Sequence, residues 1–314
     1  MPQIVQFFHP GSQQSAGNKN HGELEWKKLD KPHARKFLKA TGIAIDKNNE
    51  EIHDELTFWG EWEAKTKFQK TKLIIEDQVD LGDLSEEEQE KEKIKNKDVW
   101  PKNIFTPVYP NGQGEQNTDP IVFGKKWYYS NCKQQKLKKI LEDGSIIIFG
   151  SAKNGEMIID TVFVVESSEE YGIRDLTDEK LLKKLAIDPL KEIPKNDPDW
   201  KAKNGDAVFD FAPLRLYTAR KYSKDNKKLF SFVPAKLYDN NFGNCVFKRI
   251  ALNLKKEFPC LEKWCEEPKS GAAMNVYVSD VDVNTRNRIW DYIKNEVLQE
   301  GLLLGVDFEE PADK

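Results

Sequence analysis

The sequence predicts an α+β protein, a mostly antiparallel β-sheet core with a few packed helices. Three observations predict it. The stretch "GSIIIFGSAKNGEMIIDTVFVVE" holds two apolar, β-branched runs joined across Lys153-Asn154-Gly155, and Asn-Gly suits a tight hairpin turn. Near the carboxy terminus, "TRNRIWDYIKNEVLQEG" places Ile289, Tyr292, Ile293 and Val297 on one helical face and stops at Gly301. Ahead of both, "LTFWGEWE" alternates with a period of two, as a strand does.

The elements follow in chain order. Residues 4–8 form an apolar run that reads as a strand and breaks at His9-Pro10-Gly11. The polar "GSQQSAGNKNHGE" is a loop, and "HARKFLKATG" suits a short helix closed by Gly42. The strand "ELTFWGEWE" comes next. Residues 84–98 are dense in charge, and Ser85 followed by glutamates resembles a helix start, so this segment is a solvated excursion. "NCKQQKLKKILEDG" reads as a helix capped by Ser130 or Asn131, with Leu137, Ile140 and Leu141 on its buried stripe. The Asn-Gly hairpin is nearly continuous in apolar residues, which places it centrally in a sheet covered on both faces. Then come a helix, "TDEKLLKKLA", and a linker rich in Pro, Asp and Lys. "PLRLYTARKYS" and "KLFSFVPAKLY" read as strands. The expected organisation is a β-rich part over 1–168 carrying the ligand site, helix and linker over 169–204, and an α+β part over 205–314 packed on the first.

A chain of 314 residues, 38% of them hydrophobic, can bury a large core. Its 49 basic and 53 acidic residues nearly cancel, so any affinity for a polyanion must be local. The start "MPQIVQFFHPG" lacks the basic and apolar regions of a signal peptide, and no apolar window reaches membrane-spanning length. A cytoplasmic protein with no membrane partner is expected. Four cysteines without CxxC spacing read as reduced structural thiols.

Chemistry concentrates in a few stretches. In "LTFWGEWE", alternation puts Leu56, Phe58, Gly60 and Trp62 on one face, and Thr57, Trp59, Glu61 and Glu63 on the other. The second face pairs an aromatic plate with carboxylates roughly 7 Å apart, a combination that suits a nucleobase or a sugar. It equally suits a half-exposed strand with its glutamates in water. All four histidines fall within the first 53 residues. His9 and His33, with Arg35 and Lys36 beside the latter, fit acid–base work on a phosphodiester without metal, and they also fit structural roles. Gln116, Asn117 and Asp119 in "GEQNTDP" can read a base edge or make Asx turns. "KKWYYSNCK" interleaves Lys125, Lys126 and Lys133 with Trp127, Tyr128 and Tyr129 before a helix start at Asn131, a pattern found in single-strand binding and in plain amphipathic strands.

There is no P-loop, no GxGxxG after a strand and no GxSxG elbow. No metal set and no cofactor are implied. The expected function is recognition of a nucleotide or nucleic acid, with a metal-independent phosphodiesterase or nuclease, or a base-modification-associated protein, as its sharper forms. The expected catalytic residues are His9, His33 and Glu61. Ligand binding is expected of Arg35, Lys36, Trp59, Glu63, Gln116, Asn117, Asp119, Tyr129, Asn131 and Lys133. A carbohydrate-binding or glycoside-acting protein with a two-carboxylate site is the alternative, and a non-catalytic interaction protein is the third reading.

Overall fold

The computed structural model describes residues 2–9, 19, 21–24, 35–62, 65–71, 103–108, 120–130, 141–153, 156–171, 214–225, 228–239, 249–261, 276–278 and 281–311. The strands among them are β1 (Ile4–His9), β2 (His21–Leu24), β3 (Lys36–Ile45), β4 (Glu51–Gly60), β5 (Thr66–Lys70), β6 (Asn103–Pro107) and β7 (Tyr128–Ser130). They continue with β8 (Ile146–Lys153), β9 (Glu156–Tyr171), β10 (Leu214–Ala219), β11 (Val233–Leu237), β12 (Val276–Val278) and β13 (Leu303–Phe308). The helices among the described residues are the single turn α1 (Leu254–Glu257) and the long α2 (Val283–Gln299).

One sheet has six strands in the order β12-β1-β8-β9-β10-β7. The other has seven, in the order β13-β11-β4-β3-β6-β5-β2, and β13 also pairs with β3. That extra pairing closes β3, β4, β11 and β13 into a four-stranded barrel. The α+β expectation is therefore corrected. Among the described residues the protein is mostly β, 52% strand against 14% helix, and their helices do not form a packed layer of their own.

The "HARKFLKATG" helix is corrected with it, because residues 36–45 are strand β3. Phe37 and Leu38 explain the change. As neighbours on a strand they point to opposite faces, and each face meets its own apolar cluster. A helix would have aimed both toward one side and left the second cluster unfilled. The β3–β4 connection is tightened by Asp46, whose carboxylate accepts from the amides of Asn48 and Glu50 at 2.8 Å each. Asn49 takes the left-handed conformation, φ 61°, that asparagine tolerates in turns.

The barrel is narrow. Phe58 on β4 and Phe308 on β13, two strands that are not neighbours in the ring, meet across its interior with ring centroids 4.3 Å apart. Glycine is required where the walls close: a Cβ on Gly305 would sit 2.6 Å from Phe308 Cζ, and one on Gly42 would overlap the Asp307 carbonyl.

The Asn-Gly hairpin is present as expected. Lys153 opposes Glu156, leaving two residues to turn, and β8 and β9 occupy the centre of the six-stranded sheet. Ile146 to Phe149 and Val162 to Val165 are all 0% exposed, so both faces of this hairpin are covered. The parallel pairing of β1 with β8 brings His9 opposite Ser151. The sheets are tied by mutual backbone hydrogen bonds of 2.9 Å between Val162 of β9 and Phe232, just before β11.

α2 forms where the amphipathic pattern predicts it. Asp282 caps it by accepting from Asn284 and Thr285, and Gly301 ends it at φ +76°. Ile289, Ile293 and Val297 face the core at 0% exposure, and the Trp290 indole donates to the Phe230 carbonyl at 2.9 Å. Both sheets draw strands from both ends of the chain, since β12 pairs with β1 and β13 with β3. No helix among the described residues is long and apolar enough to cross a membrane. Of the cysteines, Cys260 is described, free and exposed. The charged excursion over 84–98, the helices expected in 131–144 and 177–186, and the linker up to residue 204 lie outside the described residues, except residues 141–144, which are not helical and turn at 143–144.

Candidate site: a buried charge cluster where strand ends meet

The β3–β4 register sets the first contact. Lys36 opposes Gly60 and Phe37 opposes Trp59, so one step further Arg35 faces Glu61. Arg35 Nη2 and Glu61 Oε2 lie 3.2 Å apart, with side-chain exposures of 0% and 3%. This cross-strand pair stands where β3 begins and β4 ends.

The second contact comes from the other sheet. Along β8 and β9, Phe149 opposes Thr161 while Gly150 opposes Ile159, so Asp160 is the extra residue of a β-bulge. Bulges re-aim a side chain, and here the Asp160 carboxylate, 0% exposed, reaches two arginines. Its Oδ2 lies 3.6 Å from Arg35 Nε, and its Oδ1 lies 2.8 Å from Arg249 Nη2. The Ser151 hydroxyl donates to Oδ2 at 2.6 Å. The Arg249 guanidinium in turn lies over the Trp59 indole, 4.0 Å from the ring centroid.

Two guanidinium groups, two carboxylates, a hydroxyl and an indole thus converge in an environment where charged groups are rarely found unless paired. Desolvating them is expensive, and such a cluster is weak evidence for stability by itself. Its place is informative. It joins the start of β3 and the end of β4 to the bulge near the start of β9, at the junction between the two sheets.

The geometry corrects one sequence expectation directly. The Trp59–Glu61 face of β4 is not open to water, because Trp59 is 3% exposed and Glu61 5%. The six-stranded sheet covers that face, so Glu61 is a buried ion-pair partner and the indole plate already carries Arg249. The opposite face behaves as alternation requires, with Leu56 and Phe58 at 0% and Trp62 at 1%.

The other expected residues divide into three groups. His9, Arg35, Trp59 and Glu61 are brought to one region, His9 through its backbone register with Ser151. Lys36 is 2% exposed but belongs to the opposite face of β3, where its ammonium donates to the Trp62 carbonyl. Tyr129 is 0% exposed in the second apolar cluster, edge-on to Phe7 and stacked on Tyr217 at 6.1 Å. The "KKWYYS" segment is accordingly split by its own alternation: Lys125 and Lys126 are in water while Trp127 and Tyr129 are core. Between them Tyr128 is half-buried, and burial raises its pKa, helped by Glu169 and Glu310. His33, Glu63, Gln116, Asn117, Asp119, Asn131 and Lys133 lie outside the described residues.

Asp160, Arg249 and Ser151 were missed by the sequence reading. For Asp160 a clue existed: it is a single carboxylate inside the apolar run "MIIDTVFVV", where a strand buried on both faces has no water to offer it. No comparable pattern surrounds Arg249. Among the described residues, no three of His, Cys, Asp or Glu come together as metal ligands.

No protein-family model matches the chain, and no curated protein or solved structure matches it. Function must therefore be argued from the cluster.

Proposed function

We propose that the protein recognises a nucleotide or a nucleic acid at the cluster centred on Asp160. The observation that carries this reading is the pair of guanidinium planes, Arg35 and Arg249, held by one buried carboxylate, with Arg249 stacked on Trp59. Guanidinium groups stack on bases and donate in a planar fork that matches their edges and phosphates. Fixing them in advance removes much of the ordering that binding otherwise requires.

The chain around the cluster adds candidates. His33 lies two residues before Arg35, and Glu63 two residues after Glu61. Cleavage or modification of the bound nucleotide is the finer proposal, with His9 and His33 as its acid and base and Glu61 as a third catalytic group. The exposed Lys125 and Lys126 can follow the backbone of a single strand. The carbohydrate reading draws less support, because it needs two carboxylates across an open groove. Glu61 and Asp160 instead share one buried guanidinium.

The test is titration of the purified full chain with nucleotides and single-stranded oligonucleotides, followed by tryptophan fluorescence. Binding is expected, and Arg249→Met, which keeps an apolar stem over Trp59, should weaken it at least about tenfold. Absence of binding by any nucleotide or oligonucleotide, or a sugar found in the co-purified ligand by mass spectrometry, would reject the reading.

A further inference from the structure

Two arginines meet at the turn that precedes β8. Gly144 in that turn takes the left-handed conformation, φ +79°, and a Cβ there would lie 2.6 Å from Arg286 Nη1 and 3.8 Å from Arg220 Nη2. Both guanidinium groups therefore border one point. Arg220 directly follows β10 and Arg286 belongs to the first turn of α2, so a sheet and a helix hold them there together.

Their contacts position these cations without neutralising both. Arg286 donates from Nη1 to the Gly144 carbonyl at 3.1 Å, and from Nε and Nη2 to the Asn287 side-chain oxygen at 3.2 and 2.9 Å. These acceptors are uncharged. Arg220 donates from Nη2 to Asp143 Oδ1, and the Asp143 side chain is 63% exposed. Burial first and the Arg220 charge second lower the Arg286 pKa, while Asp143 opposes them. The helix adds to the disfavour, because its first turn holds no acidic side chain and the amino end of a helix disfavours a cation.

Two cations thus share the Asp143 carboxylate, which Arg220 holds on one oxygen and water reaches from outside. An ion pair so exposed is weak and exchangeable. A phosphate group is the stronger competitor, since it carries more charge, offers several acceptor oxygens at once and matches the guanidinium fork. It can accept from both arginines together.

We propose that Arg220 and Arg286 form a phosphate-binding site beside Gly144, in which the Asp143 carboxylate takes the anion's place until the ligand displaces it. The ligand chemistry is a phosphate group, either free or carried by a nucleic-acid strand. The site is separate from the Asp160 cluster, whose Ser151 lies toward the other end of β8, and it does not depend on the nucleotide reading.

The experiment titrates the full chain with sodium phosphate against sodium chloride of matched ionic strength, followed by calorimetry and thermal melting. Phosphate should bind saturably and raise the melting temperature. Arg220→Gln and Arg286→Gln should each weaken it at least about tenfold, since each removes one guanidinium charge and its fork. Asp143→Asn is the sharper variant. It keeps an oxygen for Arg220 and removes the competing charge, so phosphate affinity should rise several-fold, whereas a purely structural ion pair would lose stability and gain no affinity for the anion. A single-stranded oligonucleotide added to the phosphate complex separates the sources. Displacement of phosphate assigns the site to a strand's phosphates, and retention assigns it to a free phosphate; either result upholds the site. Absence of saturable phosphate binding in both the natural chain and Asp143→Asn overturns the proposal. So does unchanged affinity in folded Arg220→Gln and Arg286→Gln, and neither failure touches the reading of the Asp160 cluster.

Discussion

Inside the barrel, Leu38, Leu56, Phe58 and Ala235 are 0% exposed and pack with Val233 and Phe308. A few residues away along the same two strands, Arg35 and Glu61 are almost equally dry, yet they carry full charges. The two regions share β3 and β4 and differ in what meets them. The barrel closes on itself, so apolar side chains fill it and shape alone matters. The cluster lies where the strands end against another sheet, and Asp160 arrives there as a third party from β9. Equal burial therefore does not mean equal role: one region holds the fold closed, and the other keeps expensive charges that a pure scaffold would replace with hydrocarbon.

Substitutions can break or sharpen this contrast. The largest effect is expected from Asp160→Ala, which removes the carboxylate between two buried guanidinium groups and should cost about 3–5 kcal/mol in denaturant unfolding. Asp160→Asn should cost less, since its amide oxygen still accepts from Ser151 or Arg249. A neutral result for Asp160→Ala would mean that water reaches the arginines and that the cluster is not a dry site.

Glu61→Gln is next, at about 1–3 kcal/mol, because it keeps the side chain's shape while removing the charge that faces Arg35. Phe58→Leu provides the contrast within the barrel. A roughly volume-conserving apolar exchange should cost less than about 1.5 kcal/mol, although the ring lost there touches Phe308. If Phe58→Leu proves more damaging than Glu61→Gln, the barrel and not the cluster is the region sensitive to exact chemistry.

The smallest effect concerns a charge in water. The Asp282 carboxyl is held below its ordinary range by the Thr285 hydroxyl first and by the Thr285 and Asn284 amides after it. A carboxyl whose pKa falls on folding stabilises the folded state fully above its ordinary value, and loses that contribution as pH drops through the lowered one. Asp282→Asn should therefore lower the melting temperature slightly at neutral pH, leave it almost unchanged at the acid end, and so flatten the acid limb of the profile between them. An unaltered acid limb would show that this cap contributes nothing through its charge.

Several parts of the fold were legible in the residues. The Asn-Gly hairpin, the central and doubly covered β8 and β9, the α2 face with its Gly301 stop, and the core face of Leu56, Phe58 and Trp62 all follow from local periodicity and turn chemistry. These features depend on neighbours within a few residues, which is the range over which a sequence carries its own instructions. Of the site, Arg35, Trp59 and Glu61 were legible as residue types, but not their setting.

What the sequence by itself determined, then, is which residues alternate, turn and cap, and that carboxylate, guanidinium and indole groups lie close together along β3 and β4. Only the tertiary structure decided that β3 is a strand, that β13 closes the barrel, and that Asp160 joins Arg35 to the Arg249 that lies over Trp59. The reason is physical. Pairing Phe308 with Gly42, or bringing Asp160 to Arg35, joins residues more than a hundred positions apart. No local periodicity encodes such contacts; they arise when two apolar clusters must both be filled and the remaining buried charges must find one another.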